Sequence, residues 1–268
     1  MIKLTAFRSV PPFAQGIVRD VRVRWALEEA GIPYQEWLIG RDDRATAAYR
    51  ALQPFGQVPA IETDELKLFE SGAIVLHIAE KCEALMPADA NRRARTTAWM
   101  FAALNSVEPP IQNLAGIDLF YAGEAWAMAR RPMVVEMVQD RLGALEDWLD
   151  GHDYLEDRFT AGDLLMTTVL RFLRHTNIVA GRPALKAYQE RCEARPAFRK
   201  ALADHLRPFA AGAAEHKQSV IRAIRGRFRH SRGQGIRSNK FRDQKDRPCG
   251  RCGPNYAFGS RPRSRPRR

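Results

Sequence analysis

Residues 53–71 read QPFGQVPAIETDELKLFES, and this stretch places a proline, Pro59, directly before the first of two short predicted strands. The strands are predicted at 60–63 and 66–69, on either side of an Asp64-Glu65 turn. Proline has no backbone N–H, so it is normally excluded from the interior of a strand. One explanation is that the proline leaves the main chain of the preceding residue, Val58, free to pair with a ligand instead of with the protein; the alternative is a proline that only marks the start of the strand.

Hydrophobic patterning around this stretch predicts a small α/β domain at residues 1–82. Strands at 2–7 and 34–39 flank a helix that Gly31 ends, which makes a βαβ unit with an expected right-handed crossover. A short helix at 45–52, the hairpin and an amphipathic helix at 71–81 follow. The predicted order of elements is therefore β-α-β-α-β-β-α.

The chain after this domain is predicted to be helical. A polar linker spans 83–90, and residues 91–215 carry apolar residues at three- and four-residue spacing. Long helices are predicted at 96–119 and 133–149. A capping box of Thr160 and Asp163 begins another helix, with Phe159 and Leu164 as its hydrophobic staple. The expected fold class is an α/β domain followed by an all-α domain.

Positive charge is concentrated at the C-terminal end of the chain. The net charge is +12, but residues 216–268 contain 17 Lys and Arg against 2 Asp, so residues 1–215 carry a net charge of −3. This tail has few aliphatic residues and no sustained period, so we expect it to be disordered. Its arginines, with four interleaved aromatic residues, are a candidate surface for nucleic acid. The alternatives are a solvated extension and a frame-altered or read-through end.

Membrane, secreted and metal-binding classes are not favoured. The chain has no run of about 18 apolar residues and no apolar core of a signal peptide at its N-terminus. Its four cysteines do not form a secreted disulfide framework. Cys249 and Cys252 have zinc-like spacing but form a single pair without a second. We expect a cytoplasmic protein with reduced thiols, no membrane contact and no metal site.

Two segments resemble a known family. QPFGQVPAIETDELKLFESGAIVLHIAEK resembles the glutathione-binding half of the cytosolic glutathione S-transferases, and RFTAGDLL resembles the capping box of their helical domain. The Val58-Pro59 and Glu70-Ser71 pairs, joined by a hairpin, are the most specific part of the resemblance. It implies a thioredoxin-like N-terminal domain, an all-helical C-terminal domain and a homodimer. It also implies glutathione as co-substrate and no further cofactor.

The resemblance implies a set of glutathione contacts. Pro59 is expected to be cis, so that Val58 turns its N–H and C=O toward the cysteinyl backbone of glutathione. Ser71 begins a helix whose free N–H groups suit the γ-glutamyl carboxylate, and Glu70 would approach the γ-glutamyl amine. The remaining expected contacts are Gln57 and, at the glycyl carboxylate, Arg44 or Arg41.

The group that activates the thiol is the part of the site that departs from the family pattern. Family members place a Tyr, Ser or Cys between the first strand and the first helix, where it lowers the pKa of the glutathione thiol. The corresponding residues here read RSVPPFAQGIVRDVRVRW, with Ser9 as the only hydroxyl. Ser9 is the first candidate, and Gln15, Arg19 or a backbone N–H are the alternatives. The serine- and cysteine-rich loop of the zeta-class isomerases is missing, which argues against maleylacetoacetate isomerisation.

The function expected from the resemblance is a detoxifying transferase that uses the glutathione thiolate to attack small hydrophobic electrophiles. The alternatives are a non-catalytic glutathione-binding or regulatory protein on the same fold, and a protein whose basic tail binds nucleic acid. The helices at 70–81 and 91–119 are expected to face the partner subunit. Candidate cross-dimer charges are Arg92, Arg93 and Arg95, and candidate residues of an apolar electrophile pocket are Phe101, Leu104, Phe120, Tyr121 and Trp126.

Overall fold

A computed structural model describes residues 1–210 of the chain. Four strands form one mixed sheet in the order β2-β1-β3-β4. β1 pairs in parallel with β2 and antiparallel with β3, and β3 and β4 form the predicted hairpin. The strands are β1 (Ile2–Phe7), β2 (Tyr34–Ile39), β3 (Ala60–Glu62) and β4 (Lys67–Phe69).

Three helices complete the first part of the chain: α1 (Asp20–Glu29), α2 (Ala47–Leu52) and α3 (Ser71–Ala79). The order β-α-β-α-β-β-α is therefore confirmed, and this part has the thioredoxin-like arrangement that was expected. Thr46 caps α2 by accepting a hydrogen bond from the N–H of Tyr49 through its hydroxyl oxygen (3.2 Å).

Helix α1 lies between α3 and the helical part of the chain, and most of it is buried. The indole of Trp25 is fully buried against Phe159 and Phe198, with ring centroids 5.5 and 4.7 Å apart. Because α1 is covered on several sides, it shows no clean amphipathic period. Three of its buried residues are charged, Asp20, Arg22 and Arg24, which the hydrophobic pattern did not predict.

The second part of the described chain is all-helical, as expected. The predicted helix at 96–119 begins earlier, because the carboxylate of Asp89 accepts a hydrogen bond from the N–H of Arg92 (2.9 Å) and caps a helix there. A π-helical segment at Ala102–Val107 then interrupts it before Pro109 and Pro110, which supply no N–H to the preceding turn. The helices are α4 (Ala90–Phe101), α5 (Glu108–Phe120), α6 (Ala125–Trp148), α7 (Ala161–Leu170), α8 (Pro183–Glu193) and α9 (196–210).

The prediction of a helix at 133–149 was too short at its N-terminal end, since α6 already begins at Ala125. The reason for the error is Pro132, which normally marks a helix boundary. Pro132 is exposed and lies in the second turn of α6, so the helix loses one N–H donor on its solvent side and continues.

The predicted capping box at the start of α7 is present and buried. The N–H of Thr160 donates to Asp163 Oδ2 (2.8 Å), while Asp163 Oδ1 accepts from the N–H of Leu155 (2.9 Å) and the hydroxyl of Tyr188 (3.0 Å). Burial raises the pKa of Asp163 to about 6, although these hydrogen bonds oppose the shift. The box therefore fixes the chain before α7 at Leu155 and Thr160 and connects it to Tyr188 on α8.

Several predictions concern residues beyond this description. The basic tail at 216–268, for which disorder was predicted, and the Cys249–Cys252 pair lie outside the described residues. Within residues 1–210, no helix combines the length and the apolar run that crossing a bilayer requires.

Candidate functional site

The main chain around Pro59 is held in place on both sides of Val58. The hydroxyl of Tyr49 donates to the C=O of Gln57 (2.6 Å), and the N–H of Ala60 donates to the hydroxyl oxygen of Thr5 (2.7 Å). The Val58–Pro59 peptide bond is cis. Val58 lies outside the helices and strands. Within residues 1–210, neither its N–H nor its C=O takes part in a main-chain hydrogen bond. Val58 therefore carries an unpaired donor and acceptor at a fixed position.

A cleft of about 420 Å³ opens beside Val58. One of its walls comes from the α/β part of the chain and the opposite wall from α5 and the segment after α7. The lining residues are Phe7, Phe13, Ala14, Ile17, Val18, Arg19, Arg44, Gln57, Val58, Gln112, Ala115, Gly116, Leu119, Phe120 and Phe172. Most of them are apolar, and the charged groups among them are the guanidinium groups of Arg19 and Arg44.

The apolar part of this cleft differs from the predicted one. Phe120 lines it and meets Phe13 edge to face, with ring centroids 5.1 Å apart. Phe172, which the sequence did not single out, lies in the same lining. The other predicted residues do not belong to the lining: Phe101 and Leu104 line a separate groove, and Tyr121 and Trp126 pack on each other at the surface.

Between the two arginines considered for the glycyl carboxylate, the structure favours Arg44. Its guanidinium lies 5.3 Å from the centre of the Phe7 ring, at the edge of the cleft. Its Nε is buried and has no hydrogen-bond partner within the described part of the chain. Arg41 is exposed and does not line the cleft. Of these two arginines, Arg44 is therefore the one that lines the cleft.

Glu70 and Ser71 lie at the start of α3, as predicted, but the cleft beside Val58 does not include them. Ser71 is 4% exposed, and its hydroxyl oxygen accepts a hydrogen bond from Nη1 of Arg22 (3.3 Å). The hydroxyl hydrogen of Ser71 therefore remains available for another acceptor. Glu70 is exposed and has a φ of 70°, an unfavourable conformation for a residue with a Cβ. Such strain is found mainly at functional sites.

A buried charge cluster connects Ser71 with the cleft. Oε1 of Glu108 accepts hydrogen bonds from Nη2 of Arg22 (3.0 Å), from Nη2 and Nε of Arg19 (3.0 and 3.2 Å) and from the amide of Gln112 (2.6 Å). Burial alone would raise the pKa of Glu108, but the two guanidinium groups outweigh it and hold this pKa below its ordinary value. The hydrophobic pattern of the sequence singled out neither Arg22 nor Glu108. The sequence signal for Arg22 is its place between the apolar residues Val21 and Val23 of α1.

Ser9, the first candidate for thiol activation, is exposed and does not line the cleft. Gln15 does not line it either, whereas Arg19 does. Further along the same loop, Gly16 has a φ of 81°, and its N–H donates to Nε2 of the buried His205 on α9 (3.0 Å). Within residues 1–210, the side chains that line the cleft include no Ser, Thr, Tyr or Cys.

The three arginines considered as cross-dimer charges have acidic partners within the same chain. Arg92 pairs with Asp157 (3.1 Å), and Arg95 pairs with Glu156 (2.8 Å). Arg93 lies 3.9 Å from Glu80. The three arginines therefore have acidic partners without a second subunit.

Comparison with known proteins identifies the family. Residues 15–80 match the model of the glutathione S-transferase N-terminal domain, and residues 131–196 match that of the C-terminal domain. Glutathione S-transferase 3 of Zea mays is 32% identical over 201 residues, which cover 68% of this chain and 88% of that protein. Maleylacetoacetate isomerase of Rhizobium meliloti is 30% identical over 198 residues, which cover 70% and 92%.

Solved structures agree with these matches. Glutathione transferase F7 from Populus trichocarpa superposes with a TM-score of 0.67 at 26% identity, over 77% of this chain and 99% of that one. A glutathione transferase from Burkholderia graminis, solved with two glutathione molecules per subunit, gives a TM-score of 0.66 at 27% identity, over 75% and 87%. The chain belongs to the glutathione S-transferase family.

Proposed function

We propose that the chain binds glutathione beside Val58 and uses the glutathione thiolate to attack small hydrophobic electrophiles. The observation that carries this proposal is the unpaired N–H and C=O of Val58, fixed at the wall of an otherwise apolar cleft. A peptide-like ligand can pair with such a main chain as an added strand does. The Burkholderia graminis relative, which was solved with glutathione bound, supports the same choice of ligand.

Each part of glutathione has a complementary group. The cysteinyl backbone pairs with Val58, and the γ-glutamyl carboxylate lies at the hydroxyl of Ser71 and the first N–H groups of α3. Glu70 faces the γ-glutamyl amine, and Gln57 adds a polar contact. Arg44 takes the glycyl carboxylate.

The electrophile lies against the apolar wall formed by Phe13, Phe120 and Phe172. The thiolate forms the new C–S bond there, and in a substitution the leaving group departs with its electron pair. The cleft brings the two reactants together, which removes much of the entropic cost of their encounter.

Calorimetric titration with glutathione, followed by the rate of conjugation to 1-chloro-2,4-dinitrobenzene, tests the proposal. We expect saturable binding and a rate above that of glutathione in buffer. Absence of glutathione binding would refute the proposed transferase function, because the reaction uses bound glutathione. Saturable binding with no turnover across a panel of aryl halides, epoxides and enones would favour the non-catalytic glutathione-binding protein.

Maleylacetoacetate belongs in the same panel, because one relative is named as its isomerase. We expect little isomerisation, since within residues 1–210 the cleft lining has no hydroxyl or thiol side chain.

We also propose that the chain forms a homodimer through α3 and α4. An apolar groove of about 330 Å³ lies between these helices, and Phe101 at its edge is 57% exposed. An exposed apolar surface of this kind is typical of a protein–protein interface. Light scattering at micromolar concentration tests the proposal, and a monomer under these conditions would contradict it.

A further inference from the structure

Activation of the glutathione thiol requires a hydrogen-bond donor or a positive charge beside the sulfur. The cleft beside Val58 has no hydroxyl or thiol side chain among the residues that the structure describes. Ser9, the hydroxyl nearest in sequence, is exposed and outside that lining. Another donor must therefore act if the sulfur lies in this cleft.

Arg19 is placed to supply that donor. It lies at the start of α1, lines the cleft, and its side chain is 34% exposed. Its Nε and Nη2 both donate to Oε1 of Glu108, at 3.2 and 3.0 Å. These two donors occupy one side of the planar guanidinium group, so Nη1 points away from Glu108. Within residues 1–210, Nη1 makes no hydrogen bond.

The charges around Arg19 favour an anion. Arg19 and Arg22 share one carboxylate, that of Glu108, while the remaining neighbour, Gln112, is neutral. Arg44 adds a second guanidinium to the lining of the cleft. Two further acidic groups lie near the cluster: the exposed Glu70, whose charge attracts that of Arg22, and the buried Asp20, which pairs with Arg24 (2.8 Å). The two arginines and the carboxylate of Glu108 together carry a charge of +1, and of these three groups Arg19 is the one that lines the cleft.

We propose that the guanidinium of Arg19, held in place by Glu108, donates the hydrogen bond that stabilises the glutathione thiolate. This role rests on the proposed function and names the catalytic group of the same site. The thiol proton passes to water. The thiolate then forms a C–S bond with the aryl carbon of 1-chloro-2,4-dinitrobenzene, the C–Cl bond breaks, and chloride leaves with the electron pair.

The test compares wild type with Arg19→Met, Arg19→Lys and Ser9→Ala. Arg130→Met serves as the matched control, because Arg130 is exposed on α6 and lies outside the cleft. The ultraviolet absorbance of the thiolate, titrated against pH in the protein–glutathione complex, gives the pKa of the bound thiol. Calorimetry with S-methylglutathione, which has no ionisable thiol, measures binding separately from activation.

We expect wild type to hold the thiol pKa below its ordinary value of about 8.5. An opposite charge in contact lowers such a pKa by about 1–3 units, so Arg19→Met should raise it by that amount and Arg19→Lys by less. In Arg19→Met, kcat/KM should fall about 3- to 60-fold at pH 6.5 and much less above pH 9. The loss is smaller than the change in thiolate fraction, because a thiolate of higher pKa is the better nucleophile. Arg130→Met should match wild type.

Affinity for S-methylglutathione should stay within about threefold of wild type in Arg19→Met. A thiol pKa that stays low in both Arg19 variants would overturn the assignment, and so would an ordinary pKa in Ser9→Ala alone. Loss of S-methylglutathione binding in both Arg19 variants would also overturn it, by showing a structural role. Failure of wild type to bind either ligand would instead refute the proposed function.

Discussion

Replacing Ser71 with Ala tests the predicted carboxylate contact of glutathione at α3. The Ser71 hydroxyl accepts a hydrogen bond from the buried guanidinium of Arg22 (3.3 Å), so its own hydrogen is free for the γ-glutamyl carboxylate. A hydroxyl group that accepts from a cation and donates to an anion makes stronger hydrogen bonds than it makes to neutral groups. The substitution removes this link and leaves the rest of the helix start in place.

The expected loss of affinity follows from that geometry. A hydrogen bond to a charged group contributes about 1.5–3 kcal/mol, which corresponds to a rise in Kd of about 10- to 150-fold for Ser71→Ala. The change also removes one acceptor from Arg22, whose Nε and Nη2 remain bonded to Thr168 and Glu108. We therefore expect the ligand-free protein to lose about 1–3 kcal/mol of stability as well.

Two measurements separate these effects. Calorimetry with glutathione gives Kd, and denaturant unfolding without ligand gives the free energy of unfolding. Ser106→Ala is the matched control, because Ser106 is exposed and does not line the cleft, and we expect it to change neither value. A Kd for Ser71→Ala within twofold of wild type, together with reduced stability, would refute the carboxylate contact and leave Ser71 a structural residue.

Further predictions concern stability, assembly and the tail. Asp163→Ala should lower the free energy of unfolding by about 2–4 kcal/mol, because the N–H groups of Leu155 and Thr160 lose a buried acceptor; urea unfolding measures this loss. Because the folded pKa of Asp163 is raised to about 6 from an unfolded value near 3.8, its contribution to stability should be present below pH 4 and decline by up to about 3 kcal/mol as the pH rises through 6. Asp163→Asn should lack this decline in pH-dependent unfolding, and an unchanged profile would contradict it. Phe101→Asp should shift a dimer to monomer in light scattering. Truncation after Glu215 should leave folding, assembly and glutathione activity unchanged and abolish any salt-sensitive RNA retention. Loss of activity in the truncated protein would show that the tail is needed for catalysis.

The strands and most helices were predictable because each follows from local sequence. The alternation around 60–69, the βαβ unit at 2–39 and the capping box at Thr160 are short-range signals. The errors arose where a local signal does not mark the true boundary of a helix. Pro132 lies inside α6, and the π-helical segment at Ala102–Val107 joins two helices that read as one.

The positions of the candidate site residues were predictable only where a local main-chain feature marks them. Val58 and Ser71 followed from a proline before a strand and from a serine at a helix start, and the structure places both at those positions. The cluster was not predictable in this way, because Arg19 and Arg22 pair with Glu108, which lies 89 and 86 positions further along the chain. No local pattern reports such a pairing, because a buried ion pair is formed by the packing of α5 against the start of α1.

A crystal structure of the complex with glutathione tests the central claim most directly. We predict that the cysteinyl backbone pairs with the N–H and C=O of Val58, that the γ-glutamyl carboxylate lies within hydrogen-bond distance of the Ser71 hydroxyl, and that the sulfur faces the cleft lined by Phe13 and Phe120. Glutathione bound elsewhere, or bound here without a hydrogen bond to the main chain of Val58, would contradict the claim.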